Sequence, residues 1–221
     1  MELKCYRCCT WLCECKDGQT IIHGDCRDVL PLLPKVDLVL TDPPYNVGIN
    51  YGEHNDEMTD AEWFEWAGDW FGECRVLAPT LLITGQGRLP MYATMEPWKW
   101  LLAWYKPAAM GRSPCGFNHY EPIAMWGKGS NAGLPDVIRA PLIAHGYGKI
   151  GHPCPKPLEW AAGILARWPK ADSVCDPFVG SGTTLVAAKK LNRRCIGIET
   201  EEKYCEIAAN RLRQEVLQFT D

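Results

Sequence analysis

Short apolar runs alternate along the chain with stretches of helical periodicity, and turn residues separate the two. Residues 20–23, 36–41, 81–85, 100–105, 121–126, 172–175 and 195–198 are short and rich in branched or aromatic side chains, so each predicts a strand. One more strand is expected near Val137 and Ile138, within a mostly irregular insertion over 129–151. Trp63, Ala67, Trp70, Cys74 and Leu77 recur on one helical face and predict a helix of about five turns, whose aromatic stripe reads as core. Thr59 and Glu62 supply its capping box, and Pro79 stops it. Shorter helices are expected over 28–33, 88–95, 158–168, 185–191 and 201–214. Strand and helix in alternation predict an α/β fold, a mainly parallel sheet with helices on both faces.

The 221 residues suffice for one domain with a real core, expected over 19–215, and no apolar run approaches the length of a membrane span. The first residues lack an apolar signal core, which reads as an unprocessed, cytoplasmic chain. Twelve cysteines in a reducing compartment are expected to be buried residues or metal ligands. Cys5, Cys8, Cys13 and Cys15 in the segment 1–18 supply enough thiolates for a structural zinc site, although the spacer between the two pairs is shorter than in the usual zinc ribbons; free thiols are the competing reading. Charge is unevenly spread. Residues 1–84 carry a net of −9, residues 85–157 a net of +5, and the remainder balances. The basic middle suits a phosphate-facing surface and equally an ordinary solvated face.

Two stretches carry chemistry. The strand over 36–41 runs into Asp42-Pro43-Pro44-Tyr45, where two prolines end the ladder abruptly. An acceptor-only carboxylate, carbonyls on residues without N–H groups and a flat ring then share one strand end, which suits a planar ring bearing an amine. A stiffened turn with a solvated Asp is the plain structural alternative. The Asn- and Gly-rich loop over 46–58 that follows is long enough to serve as a lid.

The second stretch, 172–199, reads strand, glycine turn, helix, strand and acid. Gly180 and Gly182 let backbone approach a ligand at a helix N-terminus, and Glu199 is placed to take ribose hydroxyls. Position 185 is Leu, so the dinucleotide fingerprint lacks its third glycine, and no Gly-Lys-Ser/Thr is present. S-adenosylmethionine, which has a ribose and a small carboxylate but no pyrophosphate, fits this pattern. Asp25 lies just past the strand over 20–23, where it can accept from a bound amine or cap the next helix.

Asp42-Pro43-Pro44-Tyr45, Lys156-Pro157 opening a helix, and Asp176-Pro177-Phe178-Val179-Gly180-Ser181-Gly182 occur in the order found in the β-class DNA amino-methyltransferases. The chain resembles that family over roughly residues 20–212. Gly24-Asp25-Cys26, Trp104-x-Lys106 and Tyr120-Glu121-Pro122-Ile123 match its pattern too. The resemblance implies a Rossmann-like, S-adenosylmethionine-dependent methyltransferase domain acting on DNA. It implies that Asp42 and the Pro43 carbonyl hold the target amine, with Pro44 in the same tetrad, while Tyr45 stacks on the base. Asp25 and Cys26 would contact the cofactor adenine, and Glu199 its ribose. Asp176, Phe178, Gly180, Ser181, Gly182 and Thr184 would surround the methionine end, and Lys156 would lie beside it. Asp at the head of the tetrad favours adenine N6. Cytosine N4, an RNA base, a catalytically idle DNA-binding relative and a nicotinamide-dependent oxidoreductase are the alternatives. The insertion 129–151 is the candidate target-recognition element, and a homodimer on a palindromic site is one expected arrangement. The compact size suits a bacterial host or a phage as the source.

Overall fold

The structure is a computed structural model that describes residues 5–7, 18–49, 56–85, 87–107, 109, 111–130, 132–142 and 151–214. Its elements run β1 (Gln19–His23), α1 (Cys26–Val29), a 3-10 turn (Leu30–Leu32), β2 (Leu38–Thr41), α2 (Asp60–Leu77), β3 (Thr80–Thr84), α3 (Leu89–Met95) and β4 (Trp100–Tyr105). A small hairpin of β5 (Arg112–Ser113) and β6 (Gly116–Phe117) follows. The chain then forms β7 (Tyr120–Gly127), β8 (Val137–Arg139), α4 (Leu158–Leu165), β9 (Ser173–Asp176), α5 (Thr183–Lys190), β10 (Arg194–Glu199) and α6 (Glu202–Arg213).

Eight strands form one sheet in the order β1-β10-β9-β2-β3-β7-β4-β8. All pairings are parallel except those of β7, which runs antiparallel to both β3 and β4. Alternation along the strands feeds two cores. Leu38, Leu40 and Leu82 pack with α4, α5 and α6 on one face. Val39, Leu81 and Ile83 pack with α1, α2 and α3 on the other. The expected two-sided covering of the sheet is therefore present.

The capping box forms as read. The Thr59 hydroxyl accepts from Glu62 N–H at 3.3 Å while a Glu62 carboxylate oxygen accepts from Thr59 N–H at 2.8 Å. The stripe Trp63, Trp70, Cys74 and Leu77 is core, as expected. The expected helix over 158–168 ends earlier, at Leu165, and turns through Trp168 ahead of Pro169, whose ring disfavours helical backbone in the residue before it. Two-residue strands carry no readable periodicity, so the β5–β6 hairpin stood as loop in the sequence. No helix among the described residues is long and apolar enough to cross a membrane.

Residues 5–7 lie along the outer edge of β1. Cys5 bridges Ile22, Tyr6 N–H donates to the Ile21 carbonyl at 2.7 Å, and Cys5 is buried at 1% exposure. The other three candidate zinc ligands, Cys8, Cys13 and Cys15, lie outside the described residues. Among the described residues no group of three or more metal-ligating side chains gathers.

Candidate active site

The C-terminal ends of β1, β10, β9, β2 and β3 share one edge of the sheet, because these strands are parallel. Connections leave β9 toward β10 and β2 toward β3, so the strand order reverses between β9 and β2. Ligands bind α/β sheets at such a reversal. Asp42 follows β2 and Asp176 ends β9 at this point, and the Thr41 hydroxyl ties the two strand ends together by donating to Asp176 at 2.9 Å. A cleft opens there, lined by Asp25, Cys26, Asp42, Phe178, Gly180 and Glu199 among others.

Antiparallel β7 and the end of β4 bring two further residues to the same edge, the first from the opposite chain direction. Glu121, near the start of β7, is 6% exposed, and Lys106, just past β4, is 8% exposed. Their ammonium and carboxylate are 3.3 Å apart. The Tyr45 hydroxyl lies between two carboxylates, hydrogen-bonded to Asp42 and 2.7 Å from Glu121. The Thr84 hydroxyl donates to the same Asp42 oxygen at 2.5 Å. The other Asp42 oxygen receives the Lys156 ammonium at 2.6 Å, and that ammonium is also 3.8 Å from Glu121.

Charge sets the ionisation of this cluster. Burial alone would raise the Glu121 carboxyl, but Lys156, the Tyr45 hydroxyl and Lys106 hold it below the ordinary carboxylate range. Burial works against the Lys156 ammonium, yet Asp42 and Glu121 hold it charged and raise its pKa. Burial and the two neighbouring carboxylates push the Tyr45 phenol well up, so it stays protonated and can donate. One phenolic proton serves one carboxylate at a time, and Tyr45 is therefore a donor shared between Asp42 and Glu121.

Backbone contacts fix the tetrad. Arg88 donates to the Tyr45 carbonyl at 2.9 Å and to the Asn46 carbonyl at 3.2 Å, and pairs with Asp60 at 2.7 Å. Asn46 adopts a left-handed φ of 56° at the exit, a conformation Asn tolerates better than most residues. The described ends of the loop over 46–58 are tied down. Asp56, 4% exposed, accepts N–H groups from Asn46, Val47 and Ile49 at 2.8–3.0 Å. Residues 50–55, the rest of the expected lid, lie outside the described residues.

On the other side of the cleft, Glu199 accepts Gly180 N–H at 2.9 Å and Glu201 N–H at 3.0 Å, one on each oxygen. The oxygen facing Glu201 also accepts the Thr200 hydroxyl at 3.5 Å, and the oxygen facing Gly180 keeps a lone pair for a ribose hydroxyl. Of the two roles open to it in the sequence, Asp25 takes the cap of α1, accepting Arg27 N–H at 2.9 Å with the Arg27 guanidinium paired to it at 2.7 Å, and it also lines the cleft. Lys156 sits with the tetrad, bound to Asp42, rather than at the glycine turn alone. Ser181 turns toward α6, where Arg211 donates to its carbonyl and hydroxyl at 2.7 and 3.0 Å. Thr184 is buried and bonded to Asp176.

The two glycines make room for protein. A Cβ on Gly180 would lie 2.8 Å from His152 Nε2, and one on Gly182 would lie 2.8 Å from the Ala208 Cβ of α6. Gly182 also has φ +83° and stands outside the cleft lining. Gly182→Ala is expected to destabilise the fold by roughly 2–4 kcal/mol, from overpacking plus left-handed strain. A urea midpoint equal to that of the unsubstituted chain would contradict this packing role.

Burial pushes the Asp176 carboxyl up to about 7, against hydrogen bonds from Thr184, Thr41 and Phe178 N–H. An acid raised on folding is more readily ionised in the unfolded chain, so its contribution to stability declines as pH climbs from about 4 to about 7. Asp176→Asn should remove that decline. The stability gap between the variant and the parent, followed by urea unfolding, should move in the variant's favour over this window.

Sequence reasoning missed Glu121, Lys106 and Thr84 as partners of the tetrad. It also missed Trp66, His152 and Tyr204 as cleft walls; the His152 and Tyr204 rings are 4.5 Å apart.

Comparison with known proteins adds identity to the geometry. A family model described as DNA methylase matches residues 36–132 and 131–210. The chain is 52% identical to the type II methyltransferase M2.DpnII of Streptococcus pneumoniae, across 90% of this chain and 91% of that protein. It is 27% identical to the DNA adenine methyltransferase YhdJ of Escherichia coli, across 89% and 83%. Among solved structures, the M1.HpyAVI complex with S-adenosylmethionine superposes with a TM-score of 0.66 at 25% identity, covering 89% of this chain and all of that one. The cytosine-N4-specific PvuII methyltransferase superposes with a TM-score of 0.72 at 16% identity, across 91% and 88%, a likeness of fold.

Proposed function

The chain belongs to the DNA methylase family of N6 and N4 amino-methyltransferases, and from that premise we propose that it transfers a methyl group from S-adenosylmethionine to the exocyclic N6 amine of adenine in DNA. The observation that carries the reading is Asp42. It is an acceptor-only carboxylate at the reversal point of the sheet, one edge of the cleft away from Glu199 and the glycine turn. Asp at this position favours adenine over cytosine in the family this chain resembles. Cytosine N4 is the second reading.

S-adenosylmethionine supplies an activated methyl on a sulfonium; the remaining work belongs to the chain. The cleft suits this cofactor, because Glu199 keeps acceptor capacity for the ribose while Asp25, Cys26, Phe178, Gly180 and Ser181 line the same space. Thr184 lines the cleft as well, and Gly182 acts from behind this wall, shaping it. An adenine amine is a poor nucleophile because its lone pair is delocalised into the ring. Asp42 and the Pro43 carbonyl accept its two N–H bonds and draw the nitrogen toward tetrahedral geometry, which localises the lone pair toward the methyl. Tyr45 stacks on the extrahelical base and offsets part of the few kcal/mol spent in unstacking it. The proton of the methylated aminium then leaves to water.

Lys156 covers the Asp42 oxygen that the amine needs. Glu121 lies within 3.8 Å of the same ammonium and is held ionised, so it can receive Lys156 when the amine arrives. Glu121 and Lys156 are positioning residues: Lys156 holds the Asp42 carboxylate in place and releases it to the substrate by moving to Glu121.

If stacking is the role of Tyr45, Tyr45→Phe should retain activity within about tenfold, while Tyr45→Ala should lose on the order of a hundredfold at subsaturating DNA. Equal losses would assign the role to the hydroxyl. The chain is read as encoded by a bacterial host or a phage and acting in the bacterial cytoplasm, with a homodimer reading a palindromic site and residues 129–151 contributing to recognition. Transfer of label from methyl-labelled cofactor to duplex DNA, against RNA of the same sequence, tests the substrate class. Labelled RNA beside unlabelled DNA would overturn it.

A further inference from the structure

We propose that an aromatic and cationic face beside the cleft, built from the β5–β6 hairpin and the ends of β4, β7 and β8, grips the substrate duplex next to the base being methylated. This rests on the reading of the chain as a DNA methyltransferase and names the surface that holds its substrate.

The face is continuous. The Arg112 guanidinium lies 5.2 Å from the Phe117 ring centroid. Phe117 stacks on His119, with centroids 6.1 Å apart and planes 11° apart, and His119 meets Tyr105 edge-on at 6.4 Å. Tyr105 is the register partner of Tyr120 on one side and of Arg139 on the other. Residues directly opposite in a sheet project from the same face, so Tyr120, Tyr105 and Arg139 form a row across three strands. All six residues are exposed, with Phe117 at 51% and Tyr120 at 57%.

Arg112 and Phe117 are also cross-strand partners within the hairpin, which accounts for their own contact. It does not account for Tyr105, Tyr120 and Arg139, which lie outside the hairpin and leave large rings in water. Charge selects the occupant. Residues 97–158 contain seven Lys and Arg but only two acids, Glu121 and Asp136. Glu121 is buried against Lys106, and Asp136 accepts the Trp100 indole N–H at 3.2 Å. Among the described residues no acid pairs with Arg112 or Arg139. A face of rings and uncompensated guanidinium groups suits a polyanion with stackable bases.

Its position fits the same partner. Lys106 N–H donates to the His119 carbonyl at 2.6 Å, closing the base of the hairpin over the active-site edge. Tyr120 and Glu121 are neighbours on β7, so alternation turns Tyr120 outward while the Glu121 carboxylate reaches the Tyr45 hydroxyl at 2.7 Å. A single step along β7 separates the face from the catalytic cluster.

The test compares the unsubstituted protein with R112A/R139A and F117A/Y120A, using fluorescence anisotropy on a labelled duplex oligonucleotide over a range of salt. Each neutralised phosphate contributes about 0.9 to the slope of log affinity against log salt. R112A/R139A is therefore expected to bind at least tenfold more weakly, with the slope shallower by about two. F117A/Y120A is expected to bind about fivefold or more weakly with its slope retained, because stacking carries little salt dependence. S-adenosylmethionine affinity and kcat at saturating DNA should match the parent in both. R112K/R139K should restore the slope. Parental affinity and slope in both alanine variants would overturn the proposal while leaving DNA methylation intact. So would a changed sedimentation coefficient with unchanged DNA affinity, which would assign the face to a second copy of the chain. An unsubstituted protein that binds cofactor but no DNA would overturn the functional reading and this surface together.

Discussion

Asp42→Ala is expected to abolish methyl transfer, by on the order of a thousandfold or more, while S-adenosylmethionine binding changes only a few-fold. The carboxylate is the acceptor that localises the amine lone pair, and loss of a single preorganised group at a reacting centre typically costs about 10²–10³ in rate. Here the loss is compounded, because Thr84, Tyr45 and Lys156 all converge on this side chain and lose their common partner. The cofactor wall is formed from the β9 and β10 ends, so binding should survive. Asp42→Asn separates shape from charge: it keeps one acceptor oxygen but cannot hold Lys156 as an ion pair. Calorimetric cofactor titration beside a single-turnover transfer assay measures both quantities. Lost cofactor binding with retained transfer would contradict the assignment.

Lys156→Ala should lose about a hundredfold in rate at pH 7 and recover part of it as pH rises. Without the ammonium, Asp42 and Glu121 face each other across the Tyr45 hydroxyl, with Lys106 paired to the far side of Glu121. Two carboxylates sharing one site resist double ionisation, and losing an opposite charge raises a carboxyl by about 1–3 pH units. Lys156 is the strongest influence holding the Glu121 carboxyl down, so without it Glu121 takes up a proton more readily, and the Tyr45 phenol then donates to Asp42 and competes there with the amine. The rate of the variant should therefore climb through the neutral range, where that of the parent is level on its acid side. Lys156→Arg, which keeps the charge, should keep the parental profile. A profile merely scaled down from the parent would make Lys156 a packing residue.

The parts of this site that stood out in the sequence are those written as local breaks in pattern. A strand that ends in two prolines announces Asp42 and Tyr45. A strand, two glycines, a helix and a strand ending in acid announce Glu199, and Lys156-Pro157 announces a helix start. What was hidden depends on tertiary placement. Glu121 reaches the tetrad because β7 runs against its neighbours β3 and β4, so its start meets their ends and the Lys106 that follows β4. Nothing in Tyr120-Glu121-Pro122 encodes that direction. The glycines were legible as necessary, but what fills the space of their missing side chains, His152 for one and Ala208 for the other, is fixed only by folding. Asp25 shows the remaining ambiguity: a helix cap and a ligand acceptor have the same sequence signature, and the side chain caps α1 while lining the cleft.

The most direct test is to incubate the protein with unmethylated DNA and methyl-labelled S-adenosylmethionine, digest the DNA to nucleosides and identify the product by mass spectrometry. The expected product is N6-methyladenine, absent with Asp42→Ala. N4-methylcytosine in its place would contradict the reading of Asp42 as an adenine-selecting acceptor, and label on neither base would contradict the proposed activity.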